Sequence, residues 1–116
     1  MNMNMTVRQG VSVVQVSGTL TCENSDALVT RFTAWLDLRS PARCVFDLSQ
    51  LEMLDSSGIG RLVMCLHKAK SHGGEVCLAA VHDKPATVIA IARLDRIFRV
   101  FPTVDAAVQD LAGAGG

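Results

Sequence analysis

The sequence predicts an α/β domain built on one mostly parallel sheet of about five strands, with about four helices packed on it. Three observations carry this. After an opening hairpin, short β-branched apolar runs alternate with segments whose apolar residues recur at helical spacing. The strand runs carry apolar residues on both faces, as in a sheet covered on both sides. The chain has 116 residues, 49% apolar and 19% charged, enough for one hydrophobic core without disulfides or metals.

The elements follow in order. Residues 6–9 and 11–16 alternate about Gly10 and read as two strands joined by a tight turn. Val11, Val13 and Gln15 share one face of the second, and Val14 and Val16 the other. Asn24, Ser25 and Asp26 offer caps to a helix with Ala27, Leu28, Phe32, Trp35 and Leu36 on one face, ended by Ser40-Pro41. Residues 43–48 form a buried strand. A helix over about 57–72 carries Ile59, Leu62, Val63, Leu66 and Ala69, and Gly73-Gly74 stops it. Residues 75–81 give another strand. Lys84-Pro85 opens a helix with Val88, Ile89, Ala92 and Leu94 inward, and residues 97–101 read as a last short strand. Pro102, Thr103 and Asp105 open a final helix with Val104, Ala107, Val108 and Leu111. The order is β-β-α-β-α-β-α-β-α in a single domain, 1–116, with its core over about 6–112 and a flexible tail at 113–116.

Composition narrows the function classes. Lys plus Arg equals Asp plus Glu at 11 each, and no basic stripe forms, which speaks against nucleic acid as a partner. The Arg93, Arg96 and Arg99 group is interrupted by Asp95 and reads as a solvated face. No apolar run approaches ~20 residues, so no membrane span is expected. Cys22, Cys44, Cys65 and Cys77 form no CxxC pair, and no export signal opens the chain. They read as reduced, mostly buried thiols of a cytoplasmic protein.

The chain turns on Leu54-Asp55-Ser56-Ser57-Gly58-Ile59-Gly60, where an apolar run breaks into small polar residues ahead of a helix. The first N–H groups of a helix lack intrahelical acceptors, and its dipole favours negative charge there. A serine hydroxyl in this loop can cap the helix, and a phosphate on it would sit near those N–H groups. Gly58 and Gly60 would let a partner backbone approach closely. Asp47 is expected to end its strand and hydrogen-bond this loop.

Other chemistries fit poorly. Gly58-Ile59-Gly60 begins a dinucleotide fingerprint, but Val63 holds the third glycine's place. Gly-x-Ser-x-Gly around Ser57 fails because Asp55 holds the first glycine's place, and no Walker A loop is present. His67 and His72 are spaced poorly for one helix face, and with His82 they complete no ligand set. No metal and no cofactor is expected.

With order and loop in hand, the chain resembles the STAS domain family over roughly residues 6–112, and within it the anti-sigma factor antagonists. Val45-Phe46-Asp47-Leu48-Ser49 followed by residues 54–60 carries the resemblance, supported by Gly73-Gly74-Glu75 and Leu94-Asp95-Arg96-Ile97-Phe98. It implies a non-enzymatic partner switch. The unphosphorylated protein binds an anti-sigma factor that is also a serine kinase and frees the sigma factor. Phosphorylation, placed by position on Ser56, releases the protein, and a PP2C-type phosphatase resets it. ATP and Mg²⁺ belong to the kinase, and the antagonist has no small-molecule substrate. Asp55 and Ser57 then shape the surroundings of Ser56, and Gly58, Ile59 and Gly60 start the docking helix. The turn after the second strand, with Thr19 and Thr21, joins the partner surface. Family members often carry a carboxylate in that turn, where this chain has Gly18-Thr19-Leu20-Thr21. The alternative is a constitutive interaction module of the same fold, a signalling scaffold or a transporter-associated subunit, with Ser56 as a cap only. A hydrolase using Ser56 or Ser57 lacks a histidine at a diagnostic spacing.

Overall fold

The computed structural model describes residues 1–38 and 43–114. Its strands are β1 (Asn2–Arg8), β2 (Val11–Leu20), β3 (Arg43–Asp47), β4 (Leu51–Leu54), β5 (Glu75–Ala79) and β6 (Val100–Phe101). Its helices are α1 (Ser25–Leu38), α2 (Ser56–Ser71), α3 (Asp83–Ile91) and α4 (Val104–Ala114). The sheet runs β1-β2-β3-β5-β6, and β4 pairs with the far end of β2. Among the described residues β1 and β2 pair antiparallel, and every other pairing is parallel. The anticipated alternation therefore holds, with one strand more than the sequence suggests.

Gln9 and Gly10 both take positive φ, 53° and 77°, and close the hairpin between Arg8 and Val11. Such a two-residue turn matches the twist of the strands it joins. One sheet face, with Met3, Val14, Val16, Cys44, Phe46, Val76 and Leu78, packs under α1, α2 and α3. The other, with Val11, Val13, Val45, Cys77 and Ala79, is covered by Ala107, Val108 and Leu111 of α4. Phe32 of α1 meets Phe46 edge to face, ring centroids 5.3 Å apart. At the end of α2, Gly73 (φ 76°) lets Gly74 donate back to the Ala69 carbonyl at 2.7 Å.

Three departures have clear physical reasons. β1 begins at Asn2 because Met3 and Met5 point inward between exposed asparagines, an alternation that already starts there. β4 escapes a period-two reading because the register shifts between Gly18 and Thr19, which face Leu51 and Met53. The bulge at Glu52 resets the alternation, so Leu51 and Leu54 are both buried. The strand expected over 97–101 shrinks to β6. A 3-10 turn at Leu94–Arg96 precedes it, and Phe98 donates back to the Leu94 carbonyl at 2.7 Å, which buries its ring and leaves Ile97 exposed. Leu94 is buried in that turn and not on α3, and Ala92 and Ala27 are exposed. Helix α4 runs to Ala114, into residues read from the sequence as tail. The expected stop at Ser40-Pro41 lies outside the described residues.

Burial pushes the thiols of Cys44, Cys65 and Cys77 up to about 12, whereas Cys22 is exposed. A thiol reagent at neutral pH should therefore modify Cys22 alone in the native protein and all four after denaturation. Mass spectrometry of the labelled protein checks this.

His82, the residue before α3, has Nε2 2.7 Å from the Ser49 carbonyl oxygen and Nδ1 2.8 Å from the Asp83 carboxylate. Both neighbours are acceptors, so the protonated ring is favoured. The Ser49 hydrogen bond first, then that to Asp83, raises its pKa above the ordinary 6.5. The sign follows: this contribution to stability is complete below about pH 6.5 and fades as pH rises through the raised folded value. Denaturation midpoints of wild type and His82→Gln should converge across that window, and an NMR titration of the ring reads the pKa directly.

Candidate functional site: the N-terminal turn of α2

Asp55 is the N-cap of α2, in extended conformation, and Ser56 is the first helical residue. The cap is the carboxylate, not a serine hydroxyl as the sequence alone suggested. Asp55 Oδ1 accepts from the Gly58 N–H at 2.9 Å, satisfying one of the helix's orphan donors. Oδ2 accepts from the Cys22 N–H at 3.2 Å, and the Asp55 N–H donates to the Leu20 carbonyl at 3.2 Å. One aspartate thus ties the start of α2 to the turn between β2 and α1.

That turn is itself fixed. The Asn24 side chain accepts from the Thr21 N–H at 3.0 Å and donates to the Thr19 carbonyl at 2.8 Å. The parallel pairing of β4 with β2 sets Thr19 beside Met53 and Leu20 beside Leu54. Thr19, Thr21 and residues 55–60 therefore belong to one end of the sheet, outside the carboxyl ends of the strands. Thr19, Ser56 and Gly60 are exposed; Thr21, Asp55, Ser57 and Ile59 are half-buried.

Gly58 has a different task from the one expected of it. It is buried, and a Cβ there would lie 2.5 Å from the Leu20 carbonyl oxygen and 2.7 Å from Leu54 Cδ1. The close backbone approach is internal. Gly60 has nothing within 4 Å of its notional Cβ, so it alone of the pair faces outward. Ile59 and Val63 pack partly against the core. Asp47 also differs: Oδ1 accepts from Ser49 N–H at 3.0 Å and Oδ2 from Gln15 Nε2 at 3.4 Å. Strand β4 intervenes, so Asp47 anchors the β3–β4 turn and not the loop at 55–58.

Sequence reasoning missed several neighbours. Met64 is exposed further along α2, and exposed Met53 of β4 lines a shallow recess with Asp83, Lys84, Thr87 and Val88 of α3. Arg61 of α2 pairs with Asp26 of α1 at 2.7 Å and donates to Met64 Sδ at 3.6 Å. Cys22 lies on the rim. The five-residue offset of Arg61 from Ser56 and the remote position of Asp26 gave no local pattern to detect.

A STAS domain family model matches residues 2–107, and the chain belongs to that family. Among curated relatives, the anti-sigma F factor antagonist of Paenibacillus polymyxa is 27% identical over 96% of this chain and 92% of its own. A Thermotoga neapolitana protein provisionally named an anti-sigma factor antagonist is 32% identical over 57% of this chain, and the match spans 58% of that protein's length. Among solved structures, an anti-sigma factor antagonist from Mycobacterium paratuberculosis superposes with TM-score 0.84 at 29% identity, covering 95% of this chain and 92% of that one. Unphosphorylated SpoIIAA shares the fold at TM-score 0.81 and 15% identity, with 97% of each chain covered. The murine anion transporter Slc26a9 shares it at 0.75 and 20%, over 90% of this chain and 18% of the transporter.

The two glycines should separate experimentally. Gly58→Ala should cost about 1–3 kcal/mol of stability, because backbone rather than a flexible side chain must yield. Gly60→Ala should stabilise α2 by up to about 1 kcal/mol. Urea denaturation of both variants measures the contrast.

Proposed function

We propose that this chain is an anti-sigma factor antagonist. In its unphosphorylated form it binds an anti-sigma factor that is also a serine kinase, and phosphorylation of Ser56 ends the complex. The observation that carries the reading is the division of labour at the start of α2: Asp55 does the capping, and the adjacent Ser56 is exposed. A kinase can reach such a hydroxyl without dismantling the helix. The antagonist names of relatives that match along most of the chain support the same role.

The switch is electrostatic. The Ser56 hydroxyl attacks the γ-phosphorus of the kinase's ATP, ADP leaves, and the hydroxyl proton is lost. The product carries about −1.5 to −2 charges at pH 7. The Gly58 N–H is already taken by Asp55, so the new charge is not absorbed by that donor. It adds to Asp55 and to exposed Glu23 on the neighbouring turn, and a face that was polar and apolar becomes strongly anionic. Gly60 and, two turns on, Met64 extend the contact area along α2 from Ser56, with Thr19 and Thr21 at its margin. A PP2C-type phosphatase restores the neutral serine.

Phosphosite mass spectrometry of the native protein from growing and stressed cells tests this first. Phosphate on Ser56 with condition-dependent occupancy is the expected result. In binding assays, Ser56→Ala should retain the kinase partner and Ser56→Glu should lose it by roughly tenfold or more. Equal binding by both variants, with no phosphate in any condition, would mark a constitutive STAS module instead.

A further inference from the structure

Strand β1 is the long open edge of the sheet; the two-residue β6 ends the other side. All of Asn2–Arg8 pairs with β2 without a register shift, and no described strand lies on its other side. An open edge exposes unpaired backbone donors and acceptors. Proteins ordinarily blunt such edges with lysine, proline, a bulge or a covering segment. β1 contains no lysine, no proline and no bulge. Its one charge, Arg8, sits at the end of the strand and pairs with Asp105 of α4. Arg31 of α1 reaches the Met3 carbonyl at 3.3 Å.

Beside this edge the surface is apolar on one face. Val7 is 40% exposed, and half-buried Met5 adjoins a shallow recess of about 270 Å³ bounded by Arg31, Ala34 and Trp35. Met3, Met5 and Val7 share that face of the strand; Asn2, Asn4, Thr6 and Arg8 share the other.

We propose that β1 pairs antiparallel with β1 of a second copy of this chain, about a two-fold axis at Met5, so that two sheets become one. The strand is self-complementary in that register. Met5 faces Met5, Met3 faces Val7, Asn4 faces Thr6, and Arg8 faces Asn2. Apolar meets apolar, polar meets polar, and the two arginines stay apart. It is also the register that uses every residue of β1. Moving the axis to Asn4 or Thr6 leaves strand ends unpaired, and a one-residue slip sets methionine against asparagine. This self-match selects a second copy over a foreign strand, whose sequence would have no reason to fit. The pairing uses no residue of the α2 face, so it stands or falls apart from the phosphoswitch.

Sedimentation equilibrium of the full chain from micromolar to millimolar concentration tests it. A monomer–dimer equilibrium is expected, weakened roughly tenfold or more by Val7→Lys, which places a charge on the apolar side of the edge. Val7 is exposed enough for the variant to fold, which far-UV circular dichroism checks. In the wild type, alternate amides of residues 2–8, those not taken by β2, should gain hydrogen-exchange protection as concentration rises. A monomer throughout, a dimer indifferent to Val7→Lys, or edge amides whose exchange ignores concentration would overturn the proposal.

Discussion

The approach of α2 to the ends of β2 and β4 is the constraint on which this end of the molecule depends. At Gly58 the helix backbone comes so near the Leu20 carbonyl that no side chain fits between them. This proximity brings Asp55 within reach of both its own helix and the β2–α1 turn. It also requires β2 to continue past the body of the sheet, where β4 supports it through the shifted register at Gly18 and Thr19. The glycine, the bulge and the aspartate are therefore one arrangement, and a change in any of them alters the setting of Ser56.

Most of the fold was legible because its helices and central strands are written in simple periods. Leu28, Phe32 and Leu36 of α1, and Leu62, Leu66 and Ala69 of α2, recur at helical spacing and are buried. The apolar runs of β3 and β5 are buried on both faces, as parallel strands flanked by helices must be. What escaped was written in geometry. Leu51 and Leu54 share a face only because a bulge intervenes, so their three-residue spacing breaks the alternation expected of a strand. Around Ile97 and Phe98 the apolar run resembles a strand, but the turn at Leu94 takes Phe98 into the core first.

The residues read as one site do lie together at one end of the sheet, but several have other structural tasks than the sequence suggests. Two glycines two positions apart look alike in a sequence, yet Gly58 is internal and Gly60 external, because successive helix positions turn by about 100°. Likewise Asp47 and Asp55 both follow apolar strands, and each binds the nearest free N–H groups. For Asp47 that is the Ser49 N–H of the β3–β4 turn, since β4 separates the two aspartates along the chain. Sequence spacing cannot assign such roles when the intervening element is itself hidden.

The placement of serine one residue inside the helix, with aspartate outside it, has a consequence for any switch built there. A serine at the N-cap would spend its hydroxyl on a backbone N–H, and modification would change a structural contact together with the surface charge. At the first helical position the side chain is not needed for the cap, since Asp55 holds the Gly58 N–H. Negative charge at Ser56 would be tolerated by the helix, whose N-terminal dipole favours it, while the outer surface would become more anionic. A phosphate placed there would leave the Asp55 cap in place and change only the surface that a partner meets.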